Sequence, residues 1–313
     1  MGRIYNNGAY PTMITPYNKD GSIDYETAKK YVRFYHERGC TGIFAVCQSS
    51  EIFYLSEDER VKLNKTVYDE VLAIEKEGGR RMTVVSSGHV SDSLDDQARE
   101  LCRVADSGTD ALILITNRLD INNEGDDVWI KNAEYLLDRL PKDVGLGLYE
   151  CPHPYKRLLT PKILKWCLEK GRFYFIKDTC CDAAVIKERL EILKGSELRL
   201  FNANCQTILS TLRDGGAGYC GIMCNYHPEL YVWLCENYNK QPEKAELLQS
   251  FISTSGFTEV GLPYPLTAKY HMCLEGIPTE NIARNRRSEE LTDYVRDCTA
   301  YMRELAKYFE KLL

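Results

Sequence analysis

Three kinds of side chain in this sequence could together act on a carbonyl compound: a lysine amine, a tyrosine phenol and a pair of serine hydroxyls. Lys177 follows the apolar run 173–176 (FYFI), which is typical of a buried strand. Burial favours the neutral form of a lysine, and the neutral amine is the nucleophile that forms a Schiff base with a ketone. The alternative interpretation of the same local sequence is a lysine just past the strand end, already in water.

Tyr149 and the serine-rich segment Gln48–Glu51 (QSSE) also follow apolar runs. If the strands form a barrel, their carboxyl ends all face one mouth, so Lys177, Tyr149 and this segment would meet there. Taken separately, Tyr149 is equally explained as a packed strand-end aromatic, and Ser49 with Ser50 as turn residues. Together, the amine, the phenol and the hydroxyls predict a Schiff-base site.

The elements that must position these residues alternate along the chain as far as residue 225. Short apolar runs, rich in β-branched and aromatic residues and bounded by Gly, Asp or Pro, are typical of strands. Between them, Ser56 with Glu59 forms a capping box, Thr160-Pro161 begins a helix, and a glycine ends one at 39. The predicted strands are 9–15, 42–47, 82–87, 111–116, 145–150, 173–177, 198–202 and 218–223.

Eight strands alternating with helices are compatible with a closed barrel or a doubly wound sheet. The doubly wound sheet requires a Gly-rich phosphate turn after its first strand, and 15–18 (TPYN) offers none. After His227-Pro228 the alternation stops, and helices are predicted at 229–239, 243–256, 262–275 and 287–312. The sequence therefore predicts an α/β protein: a (β/α)8 TIM barrel over 1–226, with a helical C-terminal extension over 227–313 packed on it.

The composition excludes several classes of protein. The chain has 313 residues and a formal charge of -6, and its lack of a basic stripe argues against nucleic acid as a partner. The arginines at 284, 286 and 287 are interpreted as the solvated face of a helix. No apolar run approaches the roughly 20 residues that span a bilayer. The N-terminal segment 1–7 lacks the apolar core of a signal peptide, so we expect a cytoplasmic protein with no membrane contact.

The cysteine pattern favours buried thiols. The 13 cysteines are scattered, and no C-x-x-C spacing occurs among them. A chain of this length buries a core without disulfides, so neither a disulfide framework nor a metal site is expected.

Three segments together resemble the motifs of a known family. They are 175–179 (FIKDT), 149–152 (YECP) and 48–51 (QSSE). In order and spacing they resemble the Schiff-base strand, the Tyr-x-x-Pro motif and the Gly-(Ser/Thr)-Thr-Gly-Glu loop of the dihydrodipicolinate synthase / N-acetylneuraminate lyase superfamily. Members of that superfamily are pyruvate-dependent class I aldolases. The resemblance extends over nearly the whole chain, with further similarity at 8–16, 85–88 and 262–270.

The resemblance implies a role for each motif. Lys177 would attack the C2 ketone of pyruvate or of a longer 2-oxo acid, and Tyr149 would carry protons. Ser49 and the Ser50 backbone amide would hold the carboxylate. The imine nitrogen would accept the electron pair when a carbon–carbon bond breaks, so no metal or organic cofactor is required. Resemblance also implies a homodimer or homotetramer.

Departures from the family pattern concern the second substrate. Gln48 replaces a proton-relaying Thr, the segment 116–119 (TNRL) replaces a Tyr that reaches the neighbouring subunit, and Pro154 replaces an Arg that binds a carboxylate. Candidate contacts for the rest of the substrate, each also explicable as a structural polar residue, are Gln48, Arg118, Asn202, Cys220, Asn225 and His227.

The sequence therefore predicts a metal-independent lyase or aldolase that acts through Lys177 on pyruvate or a 2-oxo acid and a second, unidentified carbonyl substrate. Four alternatives stay open. They are a genuine 4-hydroxy-tetrahydrodipicolinate synthase, a 2-keto-3-deoxy sugar acid aldolase or dehydratase, a sialic acid lyase-like enzyme, and a catalytically idle barrel that acts as a binding protein.

Overall fold

A computed structural model describes residues 5–313, except for the side chain of Glu259. The segment 1–4, which carries part of the targeting argument, lies outside the described residues. All eight predicted strands are present, and they are β1 Gly8–Ala9, β2 Gly42–Phe44, β3 Thr83–Ser86, β4 Ala111–Ile115, β5 Gly145–Tyr149, β6 Phe173–Asp178, β7 Arg199–Asn202 and β8 Gly218–Tyr219. The α-helices of the described residues are α1 Tyr25–Glu37, α2 Glu57–Lys76, α3 Leu94–Asp106, α4 Asp126–Arg139, α5 Pro161–Lys170, α6 Ala183–Leu193, α7 Ile208–Arg213, α8 Pro228–Asn237, α9 Pro242–Gly261, α10 Leu266–Leu274 and α11 Asp293–Leu312.

The strands form one parallel sheet that closes on itself. Their order is β1-β8-β7-β6-β5-β4-β3-β2. The two edges of the sheet meet where Thr12, just after β1, forms a parallel bridge with Phe44 of β2. The Phe44 amide donates to the Pro11 carbonyl at 3.0 Å. The structure is thus the predicted (β/α)8 barrel.

Aromatic side chains fill the barrel interior and fix the direction of the site residues. The rings of Phe175 and Phe201 stack with centroids 4.5 Å apart, and the Tyr10 ring meets Phe201 at 4.6 Å. Successive side chains of a strand point to opposite faces of the sheet. Lys177, two residues after Phe175 on β6, therefore also faces the interior, nearer the carboxyl-end mouth.

The C-terminal region supplies one further barrel helix and then three more helices. α8 packs on β1 and β8, and α9, α10 and α11 follow it. α11 begins later than predicted because Thr292 caps it, while Ser288–Glu290 form a separate 3-10 turn. The domain division after residue 226 stays a prediction. None of the helices described combines the length and the apolar character needed to cross a membrane.

A buried histidine joins two loops at the mouth of the barrel. His89 follows β3, its Nε2 accepts from the Ile115 amide at 2.7 Å, and its Nδ1 lies 2.8 Å from Gln97 Oε1. The Ile115 amide can only donate, so Nε2 is unprotonated and Nδ1 carries the hydrogen. Burial lowers the pKa of His89 to about 4, with Gln97 opposing.

Stability should therefore decrease in acid. The unfolded chain takes up the His89 proton at about pH 6.5, whereas the folded chain does so only near pH 4. The contribution of the buried neutral His89 to folding stability is fully present above pH 6.5 and is lost as the pH falls towards 4. Between pH 7.5 and pH 5, the free energy of unfolding measured with urea should fall by about 2 kcal/mol less in His89→Gln than in the wild type. Equal losses in the two proteins would contradict this assignment.

Candidate active site

Lys177 and Tyr149 lie side by side at the mouth of the barrel. They are direct partners in the register of β5 and β6, and the Lys177 amine lies 4.2 Å from the centroid of the Tyr149 ring. Lys177 is only 4% exposed and forms no ion pair with any carboxylate of the described residues. A buried lysine that lacks a counter-ion has the environment that a Schiff-base nucleophile requires.

The Tyr149 hydroxyl is held by Gln48. It donates to Gln48 Oε1 at 3.3 Å, and the Cys151 thiol donates to the same oxygen at 3.4 Å. Burial, with added repulsion from Cys151 and Cys47, raises the pKa of Tyr149 well above its usual value, so the phenol stays protonated. Because an amide oxygen accepts a hydrogen bond but has no proton to pass on, Gln48 orients Tyr149 without relaying its proton.

The two serines have different surroundings. The Ser49 side chain lines the central cavity, and its hydroxyl donates to Thr12 Oγ1 at 3.0 Å. Ser50 is fully buried, its hydroxyl donates to the Met13 carbonyl at 2.7 Å, and its amide donates to the Cys47 carbonyl at 3.0 Å. The turn itself thus uses the Ser50 amide, and the expected role of that amide towards a carboxylate stays a prediction. The amides of Gln48 and Ser49, which begin this 3-10 turn, have no acceptor within the described residues.

Glu51 ties this turn to the C-terminal region. It has a left-handed backbone (φ 62°), and its carboxylate lies 3.0 Å from the Lys269 amine, with both side chains fully buried. The other carboxylate oxygen accepts from the amides of Arg284 and Asn285. The segment that carries Arg286 is thereby held at the mouth.

The arginines of this segment are not the solvated helix face that the sequence suggests. Residues 284–287 precede the 3-10 turn and form no helix. Arg284 pairs with Glu59 at 2.6 Å, and Arg286 lines the cavity. The correction has a simple cause: Glu51, distant in sequence, binds the backbone here.

A buried cluster of three charges fixes the residues that follow Tyr149 and Lys177. Arg189 of α6 bonds Glu150 at 2.8 Å and also pairs with Asp178. Glu150 further accepts from the Leu159 amide at 2.7 Å and the Thr179 amide at 2.9 Å. Burial and the neighbouring Asp178 raise the pKa of Glu150, while Arg189 opposes the rise. Each strand end thus has its backbone fixed one residue beyond the catalytic candidate.

Removing the cation of this cluster should be costly. Arg189→Met leaves two buried carboxylates without a compensating cation, so we expect the unfolding free energy at pH 7.5 to fall by about 3–5 kcal/mol. The loss should shrink as the pH falls. Glu150 has a folded pKa above its unfolded value, so protonating it stabilises the fold, and that gain disappears as the pH rises.

The matched control is Arg213→Met, which breaks an exposed pair with Glu246. We expect a loss below about 1 kcal/mol there, with little pH dependence. Urea unfolding at pH 7.5 and pH 5 measures both variants, and equal losses at Arg189 and Arg213 would show that the cluster contributes nothing special.

A cavity of about 740 Å³ opens above Lys177, within the usual size range of ligand pockets. Four predicted site residues line it: Gln48, Ser49, Tyr149 and Lys177. Sequence reasoning missed other polar side chains around the cavity, namely Lys156, Thr179, Asn204, Gln206, Tyr219, Tyr264, Asn285 and Arg286. Lys156 could have been found, because it lies two residues beyond Pro154 and supplies the cation that Pro154 lacks.

Several predicted substrate contacts lie away from this cavity. Arg118 is buried and pairs with Asp92 at 3.0 Å. Asn202 is buried, and its amide nitrogen lies 2.9 Å from Thr207 Oγ1 and 2.8 Å from Thr211 Oγ1. Both side chains are held by partners within the protein and neither lines the cavity, so the structure gives no support for them as substrate contacts.

The remaining predicted contacts are also structural. The amide nitrogen of Asn225 lies 2.9 Å from the Thr12 carbonyl and 3.2 Å from the Tyr264 hydroxyl, so Asn225 supports cavity residues from behind. Cys220 is fully buried, and burial raises the pKa of its thiol to about 12. His227 is buried against the ring of Tyr231. None of these three side chains lines the cavity.

The thiols and acids do not suggest a metal centre. The thirteen cysteines form no disulfide. Across the described part of the chain, no three His, Cys, Asp or Glu side chains are grouped so as to hold a metal ion.

Comparison with known proteins shows what the chain is similar to. The sequence model of the Dihydrodipicolinate synthetase family matches residues 6–116. An uncharacterised DapA-like lyase of Pyrococcus abyssi is 25% identical over 285 residues, covering 88% of this chain and 90% of the relative. The chain is thus similar in sequence to proteins of the dihydrodipicolinate synthase family, in agreement with the resemblance of its motifs.

Solved structures share the fold over the whole chain. A prophage protein of E. coli K12 that belongs to the dihydrodipicolinic acid synthase family, solved in complex with pyruvate, has a TM-score of 0.82 at 19% identity. That match covers 97% of this chain and 98% of the other. The N-acetylneuraminate lyase of Proteus mirabilis has a TM-score of 0.82 at 17% identity, with 96% and 99% covered.

Proposed function

We propose that this protein is a class I aldolase that forms a Schiff base between Lys177 and pyruvate, or the pyruvoyl end of a 2-oxo acid. The observation that carries the proposal is the buried Lys177 amine, without a counter-ion and 4.2 Å from the Tyr149 ring, at the floor of a cavity. The pyruvate complex of the E. coli structural relative supports the choice of keto acid.

The proposed steps use only side chains at the cavity. The neutral Lys177 amine attacks C2 of pyruvate, and the carbinolamine loses water to give a protonated imine. Tyr149, held by Gln48, supplies the proton with which the hydroxyl leaves. Loss of a proton from C3 gives an enamine, and its C3 attacks the carbonyl carbon of the second substrate. In the reverse direction the C3–C4 bond breaks and its electrons pass to the imine nitrogen.

The carboxylate of pyruvate is assigned to the turn after β2. Ser49 offers its hydroxyl, and the amides of Gln48 and Ser49 have no protein acceptor among the described residues. Hydrogen bonds from such donors to a carboxylate are stronger than those to a neutral group. In this assignment the amides of Gln48 and Ser49, instead of the Ser50 amide, bind the carboxylate.

The second substrate is proposed to carry an acid group. Lys156, Lys177 and Arg286 line the cavity, whereas none of its described lining residues is a carboxylate. Lys177 is used by pyruvate, which leaves the other two cations for a second anion. The Lys156 amine donates to the Thr179 carbonyl at 2.8 Å, and Arg286 pairs with Glu290 at 3.2 Å, so an anion in the cavity would share the first and compete with Glu290 for the second. This favours an aldehyde that carries its own acid group, as in the synthases, over a neutral aldehyde. It also disfavours a simple 2-keto-3-deoxy sugar acid, whose only carboxylate belongs to the pyruvoyl end.

Reductive trapping tests the Schiff base. Incubation with pyruvate and borohydride should add one reduced pyruvyl group, and peptide mapping should place it on Lys177. The adduct should be absent in Lys177→Ala and should persist in Lys156→Ala, which removes the other lysine of the cavity. Wild-type protein that gains no mass would refute the mechanism and favour the idle binding barrel.

Kinetics with paired aldehydes test the second site. Arg286→Gln should raise KM about tenfold for aspartate semialdehyde or another acidic aldehyde, because a charge-assisted hydrogen bond is lost. KM for a neutral aldehyde and the yield of the Lys177 adduct should not change. Arg287→Gln, at the adjacent exposed arginine that does not line the cavity, is the control. An equal rise in KM for acidic and neutral aldehydes would remove Arg286 from substrate recognition.

A further inference from the structure

The outward face of α11 carries a stripe of apolar side chains that the described part of the chain leaves exposed. Five of the eleven large apolar side chains exposed among the described residues lie on this one helix. They are Tyr294 (74% exposed), Tyr301 (73%), Leu305 (45%), Tyr308 (58%) and Leu312 (41%). Another face of the helix, which includes the buried Val295, Thr299 and Ala306, packs on α8, α9 and α10. The helix therefore has one apolar face more than its own fold uses.

The spacing of the exposed face is that of a coiled-coil seam. With Cys298 included, its positions are 294, 298, 301, 305, 308 and 312, so the intervals alternate between four and three residues. This alternation is the heptad pattern by which two helices interlock. The order of the intervals is the same when read in either direction. A second copy of α11 running antiparallel would therefore place 294 beside 312, 298 beside 308 and 301 beside 305.

We propose that this stripe, defined as residues 294, 298, 301, 305, 308 and 312, is a two-fold antiparallel interface between two copies of this chain. A two-fold axis between the central 301 and 305 layers pairs the same patch with itself, as in most homodimers. Every apolar position of the stripe then faces another apolar position.

The charges beside the stripe favour the antiparallel direction. Asp297 and Lys311 are exposed on the same flank, 14 residues or about 21 Å apart along the helix. In an antiparallel pair each Asp297 lies beside Lys311 of the other copy, which gives two such pairs by symmetry. A parallel pair keeps them apart. Glu304 lies near the two-fold axis and therefore faces Glu304 of the other copy. Arg303 of the same chain lies 2.8 Å from Glu304 and offsets the repulsion between the two carboxylates.

An interface made from one helix of each copy lies at the small end of specific protein contacts. The dimer should therefore dissociate on dilution. Sedimentation velocity over a concentration series should show a monomer–dimer equilibrium for the wild-type chain. The double variant Tyr301→Glu/Leu305→Glu, which places four acids at the axis, should be a monomer at every concentration. Leu247→Glu, at a residue of α9 that is 50% exposed and outside the stripe, should behave like the wild type.

Far-ultraviolet circular dichroism and pyruvate trapping show whether each variant is folded, so a loss of pairing is distinguished from a loss of structure or of the Lys177 chemistry. A wild-type chain that is monomeric throughout, or a folded double variant that still dimerises, would overturn the proposal.

Disulfide trapping tests the direction of pairing. Tyr308→Cys should give a covalent dimer under mild oxidation, through Cys298 of the other copy, and the added substitution Cys298→Ser should abolish it. The wild-type chain should not crosslink, because the two Cys298 thiols lie about 15 Å apart along the antiparallel axis. A wild-type dimer linked Cys298 to Cys298 would show parallel pairing and contradict the proposal.

Discussion

The proposed active site depends on one buried ionic cluster, in which Arg189 joins Glu150 to Asp178 beneath the mouth of the barrel. Two carboxylates with one cation would be costly in a dry interior, and backbone amides after β5 and β6 supply the remaining hydrogen bonds. Because Glu150 follows Tyr149 and Asp178 follows Lys177, the same cluster that satisfies these charges fixes the relative position of the phenol and the amine. Because the charges of the cluster lie one residue beyond Tyr149 and Lys177, the phenol and the amine themselves have no counter-ion within the described part of the chain.

A second buried pair, Glu51 with Lys269, does the same for the other wall of the cavity. It joins the turn that carries Ser49 to α10 and to the segment that carries Arg286. Both side chains of this pair are fully buried, and burial lowers the pKa of Lys269 to about 8, with Glu51 opposing the shift. The C-terminal region also shapes the cavity, because it supplies Tyr264, Asn285 and Arg286 to its lining.

The barrel and its strands could be predicted from the sequence, because apolar runs and helix caps are local signals. Lys177, Tyr149 and Ser49 could be placed together because parallel strands end at one mouth. Arg286 could not, because its position depends on a contact between Glu51 and a backbone segment more than 230 residues away. Arg118, Asn202 and Asn225 lie away from the cavity, and a substrate role for them stays a prediction. The sequence could not show this, because a polar residue near a strand end does not reveal whether a protein partner or a ligand satisfies it.

The most direct test of the account is the crystal structure of the protein soaked with pyruvate. We predict continuous density from Lys177 Nζ to C2 of the keto acid, with its carboxylate at the Ser49 hydroxyl and the amides of Gln48 and Ser49, and with the Glu150–Arg189–Asp178 cluster unchanged. Pyruvate bound without a covalent link to Lys177, or linked with its carboxylate turned towards Arg286, would contradict it.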